Sequence, residues 1–164
     1  MAITKKVLKM DFTLLPNSKA ISFSELPRPS QKAYLQRYVI ECECIEGFDY
    51  SDIEKFTDNG EGGWLSFIVE ATPLLANQRF RYGLCAAEDI KQRIMTIEPE
   101  IRKSYATFQA YADWYCAGPL PEHSDSDRWP CIASGDELVL EDGWHRFHAY
   151  LKAGHSTVPL LEFA

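Results

Sequence analysis

Leu8, Met10, Phe12 and Leu14 alternate with Lys9, Asp11 and Thr13, the two-residue period of a strand with one buried face, and Pro16-Asn17-Ser18 ends the run. A second extended piece is predicted over 20–24. Pro27-Arg28-Pro29 then interrupts regular structure, and Ser30 is placed to cap a short helix reaching Leu35. Ile40, Cys42 and Cys44 alternate with Glu41 and Glu43, so the pattern predicts a strand over 39–45. A brief helix over 51–56, a turn over 59–63 and a strand over 64–71 follow. On this reading residues 1–80 form a mostly β extension with helical pieces.

The texture changes at Ala87. Ile90, Ile94 and Ile97 recur at helical spacing, and Glu98-Pro99 opens a second helix, with Ile101, Tyr105, Phe108, Ala112 and Tyr115 on one stripe. Gly118, Pro119 and Pro121 close it. A polar, acidic loop over 120–128 leads to a short apolar strand at 129–133, a turn at Ser134-Gly135-Asp136, and a returning strand at 137–140. A helix over 144–153, Gly154 just past its C-terminus and a strand over 157–163 complete the pattern. The strand, helix and strand from 137 to 163 are long enough for a right-handed parallel crossover. The predicted fold class is α+β (or α/β): a mixed β-sheet with packed helices, a core at 81–164 and the extension at 1–80, in one compact unit.

Composition narrows the function classes. The chain has 164 residues, a net charge of −7 and 46% hydrophobic residues, so it carries enough apolar material for a core and no general attraction for nucleic-acid backbone. The acidic excess is spread over both halves, without a basic stripe. Any nucleic-acid role therefore needs a local patch, a metal ion or a partner chain. No run approaches signal-peptide or membrane-span length, so a cytoplasmic protein without membrane association is expected. Five cysteines in irregular spacing fit reduced thiols better than a disulfide framework.

Candidate chemistry concentrates in one turn, Glu141-Asp142-Gly143-Trp144-His145-Arg146. A helix starting directly after a strand presents unpaired backbone N–H groups and a partial positive charge, and Gly143 lets a ligand approach the backbone. Arg146 offers a planar fork of donors for phosphate, His145 a second donor or a proton shuttle, and Asp142 with Glu141 a site for Mg²⁺. The spacing also fits a purely structural turn. Asp142 can cap the helix, Trp144, Phe147 and Leu151 can form a core stripe, and Arg146 can pair with Glu141 or Asp142.

The run ELVLEDGWHRFHAYLKAGHSTVPLLEF, residues 137–163, resembles the shared core of the ParB N-terminal domain and sulfiredoxin superfamily: strand, Asp-Gly-x-His-Arg turn, aromatic and alanine-rich helix, glycine, and a strand carrying proline. The likeness covers 129–163 well, the helices over 87–117 more loosely, and residues 1–80 not at all. It implies that Gly143, His145 and Arg146 line a nucleotide-phosphate pocket taking ATP or CTP with Mg²⁺. It further implies a role in plasmid or phage DNA biology, with Asp142, His145 and Arg146 serving a metal-assisted nuclease or nucleoside triphosphatase. The alternative is a non-enzymatic inhibitor or adaptor that keeps the fold and binds a protein partner through its acidic surface. Trp144 stands where sulfiredoxins carry their reactive cysteine, so sulfinic acid reduction by that chemistry is not expected.

Other candidates carry less. Cys42-Glu43-Cys44 lacks a second pair for a metal and is expected to pack in the core, and Cys85, Cys116 and Cys131 read as small buried residues. His145 and His148, three apart, could share a metal with Asp142. His123, with Glu122, Asp125 and Asp127, could form a weak divalent-ion site. No Gly-x-Ser-x-Gly elbow is present, and no nucleophile stands at readable spacing from a base.

Overall fold

The structure, a computed structural model, describes residues 19–121, 129–134 and 139–163, with the backbone of Leu14–Leu15. Its organising element is a mixed four-stranded sheet in the order β1-β2-β4-β3, formed by β1 (Leu14–Leu15), β2 (Phe80–Ala86), β3 (Cys131–Ser134) and β4 (Thr157–Phe163). β2 runs antiparallel to β4 through seven residue pairs, from Phe80 opposite Phe163 to Ala86 opposite Thr157. β3 runs parallel to β4, with Cys131 opposite Leu160 and Ser134 opposite Phe163. The fold is α+β.

Alternation along the strands divides the interior into two cores, because successive side chains of a strand point to opposite faces. Phe80, Ile132 and Leu161 turn to one face, where they meet Phe23, Tyr34, Leu35, Val39, Phe56 and Phe67 from the N-terminal half. Cys85, Cys131, Ala133, Val158 and Leu160 turn to the other, where they meet Ile90, Ile94, Tyr111, Phe147 and Tyr150. The second layer consists of α4 (Ala87–Ile97), α5 (Pro99–Ser104), α6 (Phe108–Tyr115) and α7 (Trp144–Lys152). Helices cover both faces, so the N-terminal half is one wall of the sheet.

That half departs from the expected pattern. The described residues from 19 to 79 are mainly helical: α1 (Arg28–Leu35) runs on into a π-helical turn over Gln36–Glu41, and α2 (Glu54–Thr57) and α3 (Gly60–Leu74) follow. The strand expected over 39–45 is instead the end of this helical run and an exposed turn. Tyr34 and Tyr38, Leu35 and Val39 are each four apart and all buried, a helical signal that overrode the local alternation. Glu43 has φ 49, which no strand accommodates. The strand expected over 64–71 lies inside α3, whose apolar residues surround the axis and so hide its period. Gly63 belongs there for space, since a Cβ would stand 2.2 Å from the Phe56 carbonyl oxygen.

Further along, α4 and β4 form as expected, and α7 starts at Trp144 as expected. The single helix expected after Pro99 is two, because Tyr105 is extended and the Thr107 hydroxyl accepts from the Ala110 N–H at 3.2 Å to start α6 afresh. β3 at Cys131–Ser134, rather than 137–140, supplies the parallel partner of β4. Strand β2, an element not expected from the sequence, alternates Phe80, Tyr82 and Leu84 with Arg81 and Gly83; the Arg81 guanidinium is paired across the strands with the Glu162 carboxylate. Most of the strand expected over 8–14, and positions 137–138, lie outside the described residues. Among the described residues no helix is long and apolar enough to cross a membrane.

Leu160 is fully buried between β4 and the α4–α7 layer. Leu160→Ala is expected to lower stability by about 2–5 kcal/mol in urea unfolding, whereas Val69→Ala on the open face of α3 should stay within about 0.5 kcal/mol of wild type.

Candidate functional site

The turn before α7 folds back onto β3. Ile132 N–H donates to the Asp142 carbonyl at 2.9 Å, and Glu141 N–H donates to the Ile132 carbonyl at 2.7 Å. This brings the Gly143 backbone against Cys131. Gly143 has φ 92, and a Cβ there would lie 2.9 Å from Cys131 Cα, so glycine is required by conformation and by contact. The residue expected to admit a ligand is buried against the strand.

Arg146 is likewise engaged inside the molecule. Its Nη2 donates to Asp142 Oδ2 at 2.9 Å, its Nη1 donates to the Pro130 carbonyl, and its guanidinium carbon stands 5.8 Å from the centre of the Trp129 ring. The arginine side chain is 15% exposed and the aspartate 25%, so this pair is well shielded from water. Trp144 Nε1 donates to the Leu140 carbonyl at 3.1 Å, and the Tyr150 hydroxyl donates to the Trp129 carbonyl at 2.6 Å. Each polar end fastens α7 to the segment around β3. Asp142 spends its carboxylate on Arg146, and no side chain caps the first turn of α7.

The N-terminal half also reaches this place, which the sequence did not disclose. Burial of Tyr34 and the nearby charges of Cys44 and Glu141 push its phenol up to about 12, and burial with Glu141 pushes Tyr38 up further. Burial opposes charge on Arg37, but the hydrogen bond it donates to the Glu41 carboxylate, with Cys42 and Asp142 adding attraction, leaves its pKa above the ordinary value. Glu141 and Asp142 therefore face Tyr38 and Arg37 from the π-helical turn. Among the described residues no group of three or more His, Cys, Asp or Glu could hold a metal ion.

The two histidines of α7 part company. His145 is exposed, with its ring 5.1 Å from that of Tyr115. His148 is 1% exposed and is clamped between Tyr115, stacked at 4.1 Å, and Phe108, stacked at 5.9 Å. Its Nε2 lies 3.0 Å from the Tyr111 hydroxyl and its Nδ1 lies 3.8 Å from Cys116 Sγ. Both ring nitrogens are thus committed away from His145 and Asp142, and a metal shared among those three does not form. Burial, with the nearby charge of His145 adding to it, lowers the His148 pKa to about 4. A nucleophile and a base do meet here. They are 32 positions apart, Cys116 just past the end of α6 and His148 within α7, a separation that leaves no short-range signal.

His148 and Cys116 line a groove of about 620 Å³ between α6 and α7, bordered by Lys91, Phe108, Lys152 and His155. The remaining cysteines separate by environment. Cys85 and Cys131 are buried as expected, and burial pushes their thiols up to about 11 and about 12. Cys42 and Cys44, expected in the core, are exposed on the turn after the π-helical segment. His123, Glu122, Asp125 and Asp127 lie outside the described residues. No protein-family model, curated protein or solved structure matches the chain.

Gly143→Ala is expected to cost about 1–3 kcal/mol through its left-handed backbone and its contact with Cys131, read as a lower urea midpoint. His148 binds its proton only near pH 4 when folded but near 6.5 when unfolded, so below about pH 6.5 the unfolded chain holds a proton that the folded chain lacks. Stability conferred by the neutral ring is complete above that pH and is lost as pH falls toward 4. The loss of melting temperature between pH 7 and pH 4.5 should accordingly be smaller in His148→Gln than in wild type.

Proposed function

We propose that this chain is a small ParB/sulfiredoxin-like protein that acts as a non-enzymatic adaptor or inhibitor, and that its 142–146 turn holds the fold together instead of clamping phosphate. The engagement of the Arg146 guanidinium with Asp142 and the Pro130 carbonyl carries this reading. A phosphate clamp needs those donors free. Withdrawing them would leave a shielded carboxylate without its partner. The order of β3, turn, α7 and parallel β4 supports the resemblance.

The surface offered to a partner is the outer face of α3. Leu65 and Val69, one turn apart, are 42% and 73% exposed, and Glu70 stands beside them. An apolar stripe edged by acid, on a chain of net charge −7, fits a protein partner whose apolar patch has a basic rim. Proteins that handle nucleic acid carry basic patches, which would supply such a rim, in keeping with the plasmid and phage setting that the resemblance implies.

A second reading, nucleotide phosphate bound at the turn with Mg²⁺, draws on the uncapped first turn of α7 and the exposed His145 beside it. Thermal unfolding with ATP or CTP, with and without Mg²⁺, separates the two. The adaptor reading expects no shift with any nucleotide. Stabilisation approaching about 2.7 kcal/mol at one hundred times the dissociation constant, absent in Arg146→Ala, would select the nucleotide reading instead.

A further inference from the structure

The groove between α6 and α7 holds features that neither the turn nor the α3 face explains. Cys116 follows the last residue of α6 and is half-buried at the groove wall, with its sulfur 3.8 Å from His148 Nδ1. The imidazole cannot turn away, because Phe108 and Tyr115 stack on its two sides and Tyr111 holds its far nitrogen. A thiol, a base and a group that orients the base are the parts of an activated nucleophile. The groove wall also carries Lys91 and Lys152 against a single carboxylate, Asp113, in a chain that is acidic as a whole. Lys91 is partly offset by Glu88 at 3.3 Å, which makes Lys152 the main cationic feature.

We propose that Cys116 is a thiol–disulfide exchange site, with His148 as its base, and that the groove accepts small disulfides bearing carboxylates. With the imidazole proton on Nε2 and donated to the Tyr111 oxygen, Nδ1 faces the thiol as an acceptor. Cys116 Sγ attacks one sulfur of the incoming disulfide while its proton passes to Nδ1. A new bond forms between Sγ and that sulfur, the original sulfur–sulfur bond breaks, and the departing thiolate takes the proton from Nδ1 and leaves as a thiol. Cys116 is oxidised to a mixed disulfide and half of the small disulfide is reduced, so no further oxidant is needed. Burial keeps the imidazole neutral, which leaves its lone pair available and limits its strength as a base. The reaction uses neither Arg146 nor the α3 face, so it stands or falls apart from the proposed function.

The test is mapping of adducts by peptide mass spectrometry after brief exposure of the full chain to substoichiometric oxidised glutathione, with bis(2-hydroxyethyl) disulfide as the uncharged comparison. Cys116 should acquire glutathione about tenfold faster than Cys44, although Cys44 is the more exposed. Lys152→Glu should slow the reaction of Cys116 with oxidised glutathione and leave that with the uncharged disulfide unchanged. His148→Gln should slow Cys116 with both reagents while Cys44 reacts as before. Modification of Cys42 or Cys44 ahead of Cys116 in the wild-type chain overturns the proposal, and that result does not depend on whether the His148 variant folds. An unchanged Cys116 rate in a folded His148→Gln variant overturns the role of the base.

Discussion

The close approach of two backbones, Gly143 over Cys131, governs the C-terminal half of the molecule. Only a residue without a side chain can lie there with φ 92. Once it does, Asp142 and Glu141 exchange hydrogen bonds with Ile132, and α7 must begin beside β3. That placement brings Arg146 within reach of the Pro130 carbonyl and Tyr150 within reach of the Trp129 carbonyl. The polar groups that look catalytic in one dimension are therefore used to close the loop between strand and helix. Buried polar groups demand partners, and here they find them in the chain itself.

The same constraint accounts for what could be read in advance. α7 and β4 are legible because a 3.6-residue stripe, a glycine and a short apolar run follow one another without conflict over 144–163. The pairing of Arg146 with Asp142 was open to inference as an i, i+4 contact, but its bond to Pro130 was not, since that partner is 16 positions away. In the N-terminal half local alternation misled. Ile40, Cys42 and Cys44 imitate a strand, and α3 is too apolar on all sides to reveal a period. Cys116 and His148 show a different limit, because proximity between helices leaves no trace in spacing.

The histidine pair of α7 illustrates how position on a helix divides chemistry between neighbours. His145 projects to solvent, while His148, three residues on, is enclosed by Phe108, Tyr111 and Tyr115. A ring enclosed by aromatics loses its affinity for a proton and gains a fixed direction. The exposed ring keeps its freedom and lacks that direction. Chemistry that needs an oriented lone pair belongs to the enclosed one.

The central placement of β4 bears on biosynthesis. Its side chains enter both interior layers, and its neighbours β2 and β3 begin about 77 and 26 residues earlier in the order of synthesis. A ribosome-bound chain that has reached only α7 would hold two unfinished walls without the strand that joins β2 to β3. Such long-range closure slows folding relative to helical proteins of similar size and leaves apolar surface open to holdase chaperones until residue 163 has emerged.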